Sequence, residues 1–197
     1  MRIILSLLLL VSILAGCGDD QSAEGHKLFN QGKYQEAIVQ YAEHLEYNPE
    51  DVQSIYNQGR AYEELGKFDE SLKNFEEVVE IDPNHANALM SIGKYHFRNN
   101  SYADASFYFS KAADIKKSDP QVFFLKGRAH HKLGETQVAM EAYDEAISKN
   151  RDYGEAYLYR GALKVYQGNK SAGCNDLRTA QSLKVPDAEN ALKEYCN

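Results

Sequence analysis

The chain has 197 residues, of which 43% are hydrophobic and 26% are charged; this composition can supply a core and argues against wholesale disorder. The formal net charge of −7 argues against general nucleic-acid binding, which needs a basic surface. Proline is scarce, at 4 residues, and the long stretches without helix breakers favour helix over strand.

Residues 1–16 have the composition of an export signal. The apolar stretch over residues 3–15 follows a basic residue and is too short to span a membrane, which takes about 20 residues. It ends in the letters LAGC at residues 14–17, which resemble the lipobox of bacterial lipoproteins. The resemblance implies acylation of Cys17 and a short lipidated tether over residues 17–20. A secretory signal followed by an incidental cysteine is the alternative.

The residues after Cys17 bear on where such an anchor lies. Gly18 stands where the enterobacterial sorting pattern has the aspartate that retains lipoproteins in the inner membrane, so the outer membrane is favoured. Asp19 and Asp20 resemble the acidic surface-export signals of Bacteroidota lipoproteins, although a solvated tether explains them equally well. We therefore expect a lipid-anchored protein of the cell envelope, facing either the periplasm or the cell surface.

A 34-residue period organises residues 21–184. Glycine recurs at one position in five successive units, namely Gly25, Gly59, Gly93, Gly127 and Gly161. Seven residues later comes a residue that tolerates left-handed backbone, namely Gly32, Gly66, Asn100, Gly134 and Gly168. A small residue and then a large apolar one follow, at Ala37/Tyr41, Ser71/Phe75, Ala105/Phe109, Ala139/Tyr143 and Gly173/Leu177. Pro49 and Pro83 close the first two units, and Pro120 closes the third unit three residues late.

This pattern resembles the tetratricopeptide repeat. The resemblance implies an all-α fold, a right-handed α-solenoid of five helical hairpins. The first glycine lets the two helices of a hairpin approach closely, and the second occupies the turn between them. The small residue lets the helices cross tightly, and the large apolar residue fills the gap beside it. The first helix of the array is expected to begin within residues 19–23 and to be short or frayed.

Residues 185–197 are predicted to form a capping helix, with Asp187 as its N-cap. Cys174 and Cys196 lie at equal distances from residue 185, so an antiparallel hairpin would place them level with one another. Export makes a disulfide permissible, and we predict a bond between them. Two buried free thiols are the alternative.

The family resemblance also implies a concave surface lined by the first helix of each hairpin. Arg60, Lys94 and Arg128 would form a basic row in it, with rim-like, hydrated charges, and apolar side chains would lie beside them. The predicted groove comprises Tyr56, Asn57, Arg60, Met90, Lys94, Phe97, Arg98, Phe124, Arg128, His131, Lys132 and Leu158. Such a groove suits an extended peptide or a partner helix with acidic groups. Ordinary solvated surface charge is the alternative interpretation.

The predicted function is therefore a membrane-anchored scaffold that binds a protein or peptide, with no cofactor. A homotypic assembly module and an enzyme with a site built across repeats are the alternatives. No catalytic or metal-binding motif occurs in the sequence, and His96 and His130 are predicted to be satisfied core histidines. The sequence leaves the oligomeric state and the identity of the partner open.

Overall fold

The computed structural model describes residues 17–115 and 119–196, with side chains from Ser22 onward. The predicted signal segment 1–16 lies outside the described residues. All regular secondary structure in the described ranges is helical, which confirms the predicted all-α class. None of these described helices is both long enough and apolar enough to cross a membrane.

The helices in chain order are α1 (Cys17–Asn30), α2 (Tyr34–Tyr47), α3 (Val52–Glu64), α4 (Phe68–Ile81), α5 (Ala86–Arg98), α6 (Tyr102–Ala113), α7 (Pro120–Lys132), α8 (Thr136–Lys149), α9 (Gly154–Tyr166), α10 (Lys170–Ser182) and α11 (Ala188–Tyr195). The chain divides into two compact units, Met1–Ala88 and Leu89–Asn197, and the boundary falls within α5. Unit 1 contains the hairpins α1/α2 and α3/α4. Unit 2 contains the rest of α5 with α6, the hairpins α7/α8 and α9/α10, and α11.

Close packing within each hairpin depends on the first glycine of the repeat. A Cβ atom at Gly127 would lie 2.5 Å from Cε1 of Tyr143, and one at Gly59 would lie 2.9 Å from Cε1 of Phe75. Tyr143 is fully buried, so its ring has no room to withdraw. The predicted role of this glycine in helix approach is confirmed.

The turn between the two helices of each hairpin uses left-handed backbone. Positive φ angles occur at the second glycine of four repeats and at Asn100 of the third, with φ of 60° at Asn100 and 75° at Gly32. Glycine carries no Cβ penalty in this conformation, and asparagine tolerates it better than most residues. The predicted turn chemistry is therefore confirmed, including the asparagine replacement.

Tyr143 and Tyr41 occupy equivalent places in their hairpins, and the hydroxyl oxygen of each is buried without a hydrogen-bond partner. Burial raises the pKa of Tyr41 to about 12 and also raises the pKa of Tyr143. The second and third repeats carry Phe75 and Phe109 at the same place, so a ring without a hydroxyl fits this environment.

We therefore expect Tyr143→Phe to raise the free energy of unfolding by about 1 kcal/mol, because it removes a buried donor that has no acceptor. Thermal denaturation followed by circular dichroism measures the change. Tyr41→Phe is the matched variant in unit 1 and should act in the same direction. A loss of stability in both variants would show that the hydroxyls are hydrogen-bonded in solution.

Two helix starts differ from prediction. The described part of α1 spans Cys17–Asn30, so this helix includes residues before the predicted start within 19–23 and is not short. Pro120 opens α7 and does not close the preceding unit, because its fixed φ suits a first helical position that needs no N–H. The carboxylate of Asp119 accepts a hydrogen bond from the Gln121 amide at 2.7 Å.

The capping helix begins where predicted, but Asp187 does not act as a side-chain cap. Its φ is 67°, and its carboxylate makes no capping hydrogen bond. The left-handed backbone at Asp187, and the similar φ of 59° at Lys184, turn the chain sharply between α10 and α11. The aspartate is therefore placed by backbone conformation and not by capping.

Candidate functional site

The predicted groove residues of unit 1 lie on α3 and contact residues of the neighbouring repeats. The guanidinium of Arg60 lies 4.7 Å from the centroid of the Phe29 ring. The Asn57 side chain is hydrogen-bonded to Nε2 of His26 at 2.7 Å. Tyr56 packs against His85, with ring centroids 4.9 Å apart. These side chains therefore connect one repeat with the next.

Unit 2 repeats this arrangement around Arg128 of α7. Its guanidinium lies 4.8 Å from the ring centroid of Phe97, 5.6 Å from that of Tyr159 and 5.8 Å from that of Phe124. In both units the first ring, Phe29 or Phe97, precedes its arginine by 31 residues. We call these two pairs, Arg60–Phe29 and Arg128–Phe97, the arginine staples, because each joins the first helices of adjacent repeats.

The predicted rim-like, hydrated character of the basic row is wrong for both staples. Arg60 and Arg128 are half-buried, and their charge lies over aromatic rings, which replace part of the lost hydration. Lys94 is also half-buried. The sequence contains the signal for the staples, a phenylalanine four residues after one repeat glycine and an arginine one residue after the next repeat glycine. The face of a single helix does not show which neighbouring helix covers it.

Two predicted groove residues belong to the core. Met90 and Phe124 are each only 8% exposed, so neither offers a surface to a partner. Phe97, Leu158 and Tyr56 are half-buried, whereas Arg98, His131 and Lys132 are exposed. A stripe at helical spacing does not distinguish a core face from a groove face, which is why the prediction failed at these two positions.

An ion-pair network in the last repeat was not predicted. Nε and Nη2 of Arg160 donate to the two carboxylate oxygens of Asp176 at 2.8 and 2.7 Å, and Nζ of Lys164 donates to the same carboxylate at 2.8 Å. A third hydrogen bond from Arg160 reaches Asp144 at 2.6 Å. Burial alone would lower the pKa of Arg160, but hydrogen bonds with Asp176 and Asp144 raise it. No motif marks this network, because its members come from three helices.

An open cleft of about 600 Å³ in unit 2 is lined by residues of the last two hairpins and α11. Its lining comprises His131, Gly134, Thr136, Ala162, Leu163, Val165, Tyr166 and Tyr195. Tyr166 is 84% exposed, the largest value among the exposed large hydrophobic side chains of the described residues. Partial desolvation of the His131 ring lowers its pKa, and the charge of Lys132 lowers it further, so both favour the neutral imidazole. The cleft is therefore mainly apolar and uncharged.

A disulfide between Cys174 and Cys196 fixes one wall of this cleft. The two Cα atoms are 5.8 Å apart, and the bond joins α10 to the residue that follows α11. This is the pairing predicted from the sequence. Because Tyr195 directly precedes Cys196, the bond also holds the Tyr195 ring at the cleft.

A second, polar cleft of about 500 Å³ lies in unit 1 and is lined by Ser22, Ala23, His26, His44, Asn48 and Asp51. Nε2 of the buried His44 lies 3.0 Å from the Asp51 carboxylate. Burial would raise the pKa of Asp51, but hydrogen bonds from Ser54 and His44 hold it below its ordinary value. This pair connects the end of α2 with the start of α3.

His96 and His130 pack at helix interfaces, but the prediction that they are satisfied core residues is only partly right. The ring of His96 stacks on Tyr108 with centroids 5.4 Å apart. Nδ1 of His130 is paired with Glu135, while its Nε2 is buried without a partner. Across residues 17–115 and 119–196, no group of three or more metal-ligating side chains is placed to hold a metal ion.

Sequence comparison decides the family. A profile of the tetratricopeptide repeat matches residues 22–66 and 56–121, and a second profile of the same repeat matches residues 120–153. The chain belongs to the tetratricopeptide repeat family. The profiles cover the hairpins that contain both arginine staples. No curated protein sequence matches the chain.

Solved tetratricopeptide repeat structures share this fold. MamA from Desulfovibrio magneticus RS-1 superposes with a TM-score of 0.77 and 17% identity, over 86% of this chain and 96% of that one. YrrB, described as a TPR protein with an unusual peptide-binding site, gives 0.74 and 17%, over 88% and 89% of the two chains. PilW, a type IV pilus biogenesis factor, gives 0.72 and 19%, over 90% of each chain. At these identities the similarity establishes the fold alone.

Proposed function

We propose that this protein is a binding module of the cell envelope, anchored by acyl chains on Cys17, whose unit 2 cleft takes an extended peptide segment of a partner protein. The observation that carries the proposed peptide binding is the exposure of Tyr166, whose side chain is 84% exposed at the wall of a mainly apolar cleft. Exposed aromatic side chains around a concavity are typical of binding sites. The peptide-binding site described for the structurally similar YrrB supports a peptide as the ligand class.

The lining of the cleft indicates the chemistry of the bound segment. Ala162 and Val165 contribute aliphatic surface, and Tyr166 and Tyr195 add aromatic rings with polar edges. An apolar or aromatic side chain of the partner fits such a site. Lys132, exposed next to His131, would favour acidic residues beside that side chain, which retains the predicted preference for an acidic partner.

The least exposed carboxylates among the ion pairs of the described residues, Asp176 and Asp51, are each paired with a residue of a neighbouring helix. Such pairing supports a structural role for them, and we therefore propose a binding module and not an enzyme.

Tyr166→Ser tests the cleft. Peptides selected from a phage-displayed library on the parent protein should bind this variant at least about tenfold more weakly, since tyrosine is a frequent hot-spot residue. Isothermal titration calorimetry gives the dissociation constants. Phe107→Ser is the control, because Phe107 is a 56% exposed aromatic of the same unit that does not line the cleft. The assignment would be contradicted if both substitutions weakened peptide binding equally, or if neither substitution weakened it.

Light scattering of the protein starting after Cys17 separates a foreign partner from a second copy of the chain. A monomer supports the proposed peptide ligand. A Tyr166-dependent dimer would instead assign the cleft to self-association.

Cys17→Ser tests the anchoring half of the proposal. The variant should leave the membrane fraction or accumulate with its signal segment uncleaved, because one thiol would carry the lipid chains. Membrane fractionation and intact mass measure both outcomes. Because Gly18 follows Cys17, the parent protein is expected in the outer membrane fraction. If the variant fractionated and migrated like the parent protein, the proposed lipid anchor would be contradicted.

A further inference from the structure

The first helix of each later repeat begins at a fixed distance from its glycine. α3, α5, α7 and α9 begin at Val52, Ala86, Pro120 and Gly154, each seven residues before Gly59, Gly93, Gly127 and Gly161. The same register places the start of the first repeat seven residues before Gly25, at residue 18. In the part of the chain that the structure describes, α1 contains every residue from Cys17 to Asn30, including residue 18. No residues remain for a flexible linker between Cys17 and the first repeat.

We propose that the acylated Cys17 holds the first hairpin directly against the bilayer, so that the end of unit 1 at the start of α1 is a membrane-contact surface. This inference rests on the lipid anchor of the proposed function. A lipoprotein with a long tether leaves its folded part free in the solvent. Here Ser22, at the edge of the polar cleft, lies only about 8 Å along the helix axis from Cys17, at about 1.5 Å per residue.

The packing of α1 on α2 defines which residues share this end. Gly25 contacts Tyr41, and the two residues are equidistant from residue 33 in the turn. By the same spacing, Cys17 is level with residue 49, just beyond the end of α2. Tyr47 closes α2 at this end and is 66% exposed. Tyrosine is enriched where proteins meet the membrane–water interface, because its ring is apolar and its hydroxyl is polar.

The charge of this end indicates which lipid surface it would meet. Glu46 and Glu50 are exposed, and residues 43–51 contain no lysine or arginine. This surface therefore has no electrostatic attraction to anionic lipid, and the acyl chains must supply the membrane affinity. A zwitterionic bilayer is accordingly the partner that fits.

The absence of tryptophan makes a direct experiment available. Tyr47→Trp places a single indole at the proposed contact surface, and Lys33→Trp places one in the exposed turn at the opposite end of the same hairpin, about 21 Å away along a 14-residue helix. Each full-length acylated variant is reconstituted in phosphatidylcholine vesicles that contain lipid brominated in its acyl chains. We expect strong loss of indole emission for Tyr47→Trp and little loss for Lys33→Trp.

A flexible glycine–serine insertion between Gly18 and Asp19 is the matched control. It keeps Cys17 and all residues from Asp19 onward but separates the anchor from the rest of α1, so it should abolish the difference between the two reporters. Equal quenching of both reporters, or a pattern that the insertion does not change, would overturn the membrane contact alone. Protein that carries no acyl mass on Cys17 and does not float with vesicles would overturn the anchor as well, so the two failures are distinguishable.

Discussion

Replacing Asp176 with alanine is expected to lower the free energy of unfolding by about 3–5 kcal/mol. The side chains of Asp176 and Arg160 are only 10% and 14% exposed, and that of Lys164 is 21% exposed. Removing the carboxylate leaves two cations half-buried without their common partner, and such a loss costs more than the intact ion pair contributes. Urea denaturation followed by circular dichroism measures the change.

Asp144→Ala is the matched control, because Asp144 binds the same guanidinium but its side chain is 56% exposed. Ion pairs at exposed sites contribute roughly 0–1 kcal/mol, so this variant should remain close to the parent. Similar losses for Asp144→Ala and Asp176→Ala would show that burial does not set the strength of the network.

Cys196→Ser is expected to lower the stability of unit 2 by about 3 kcal/mol, because the disulfide restricts the unfolded chain between α10 and the C-terminus. The capping helix has only 8 residues, and Ala188 is its one buried residue among those described. Without the crosslink, we expect α11 to open far more often than the hairpins. Amide hydrogen exchange over residues 188–195 measures that opening.

Loss of the disulfide should also affect the proposed binding cleft. Tyr195 forms part of its lining, so opening of α11 should weaken peptide binding in Cys196→Ser and in the parent treated with reductant. Quantitative alkylation of Cys174 and Cys196 in unreduced protein from the envelope would contradict the disulfide itself. Mass spectrometry of unreduced peptides should instead find the two cysteines linked.

Much of the fold was predictable because the repeat is dictated by steric requirements at single positions. Gly127 is required by the Tyr143 ring, and Asn100 stands where left-handed backbone is needed. These requirements recur every 34 residues and therefore appear in one sequence. Helix starts were harder to predict, because a proline such as Pro120 can either close one helix or open the next.

The candidate site was less predictable, because it depends on contacts between repeats. Reading α7 alone placed Arg128 and Phe124 on one exposed face, whereas the neighbouring helices bury Phe124 and cover Arg128 with rings. The Asp176 network and the Tyr166 cleft each combine three or more helices. No periodic pattern encodes such a combination, so these features emerged only from the structure.

The arginine staples make the repeats directional. Each staple takes its ring from one repeat and its cation from the next, 31 residues along the chain. A repeat moved to another array would therefore carry an arginine that needs a phenylalanine on its N-terminal side. Recombination of such arrays should preserve both halves of a staple, so a suitable junction lies between the second and third repeats and not between two repeats that a staple joins.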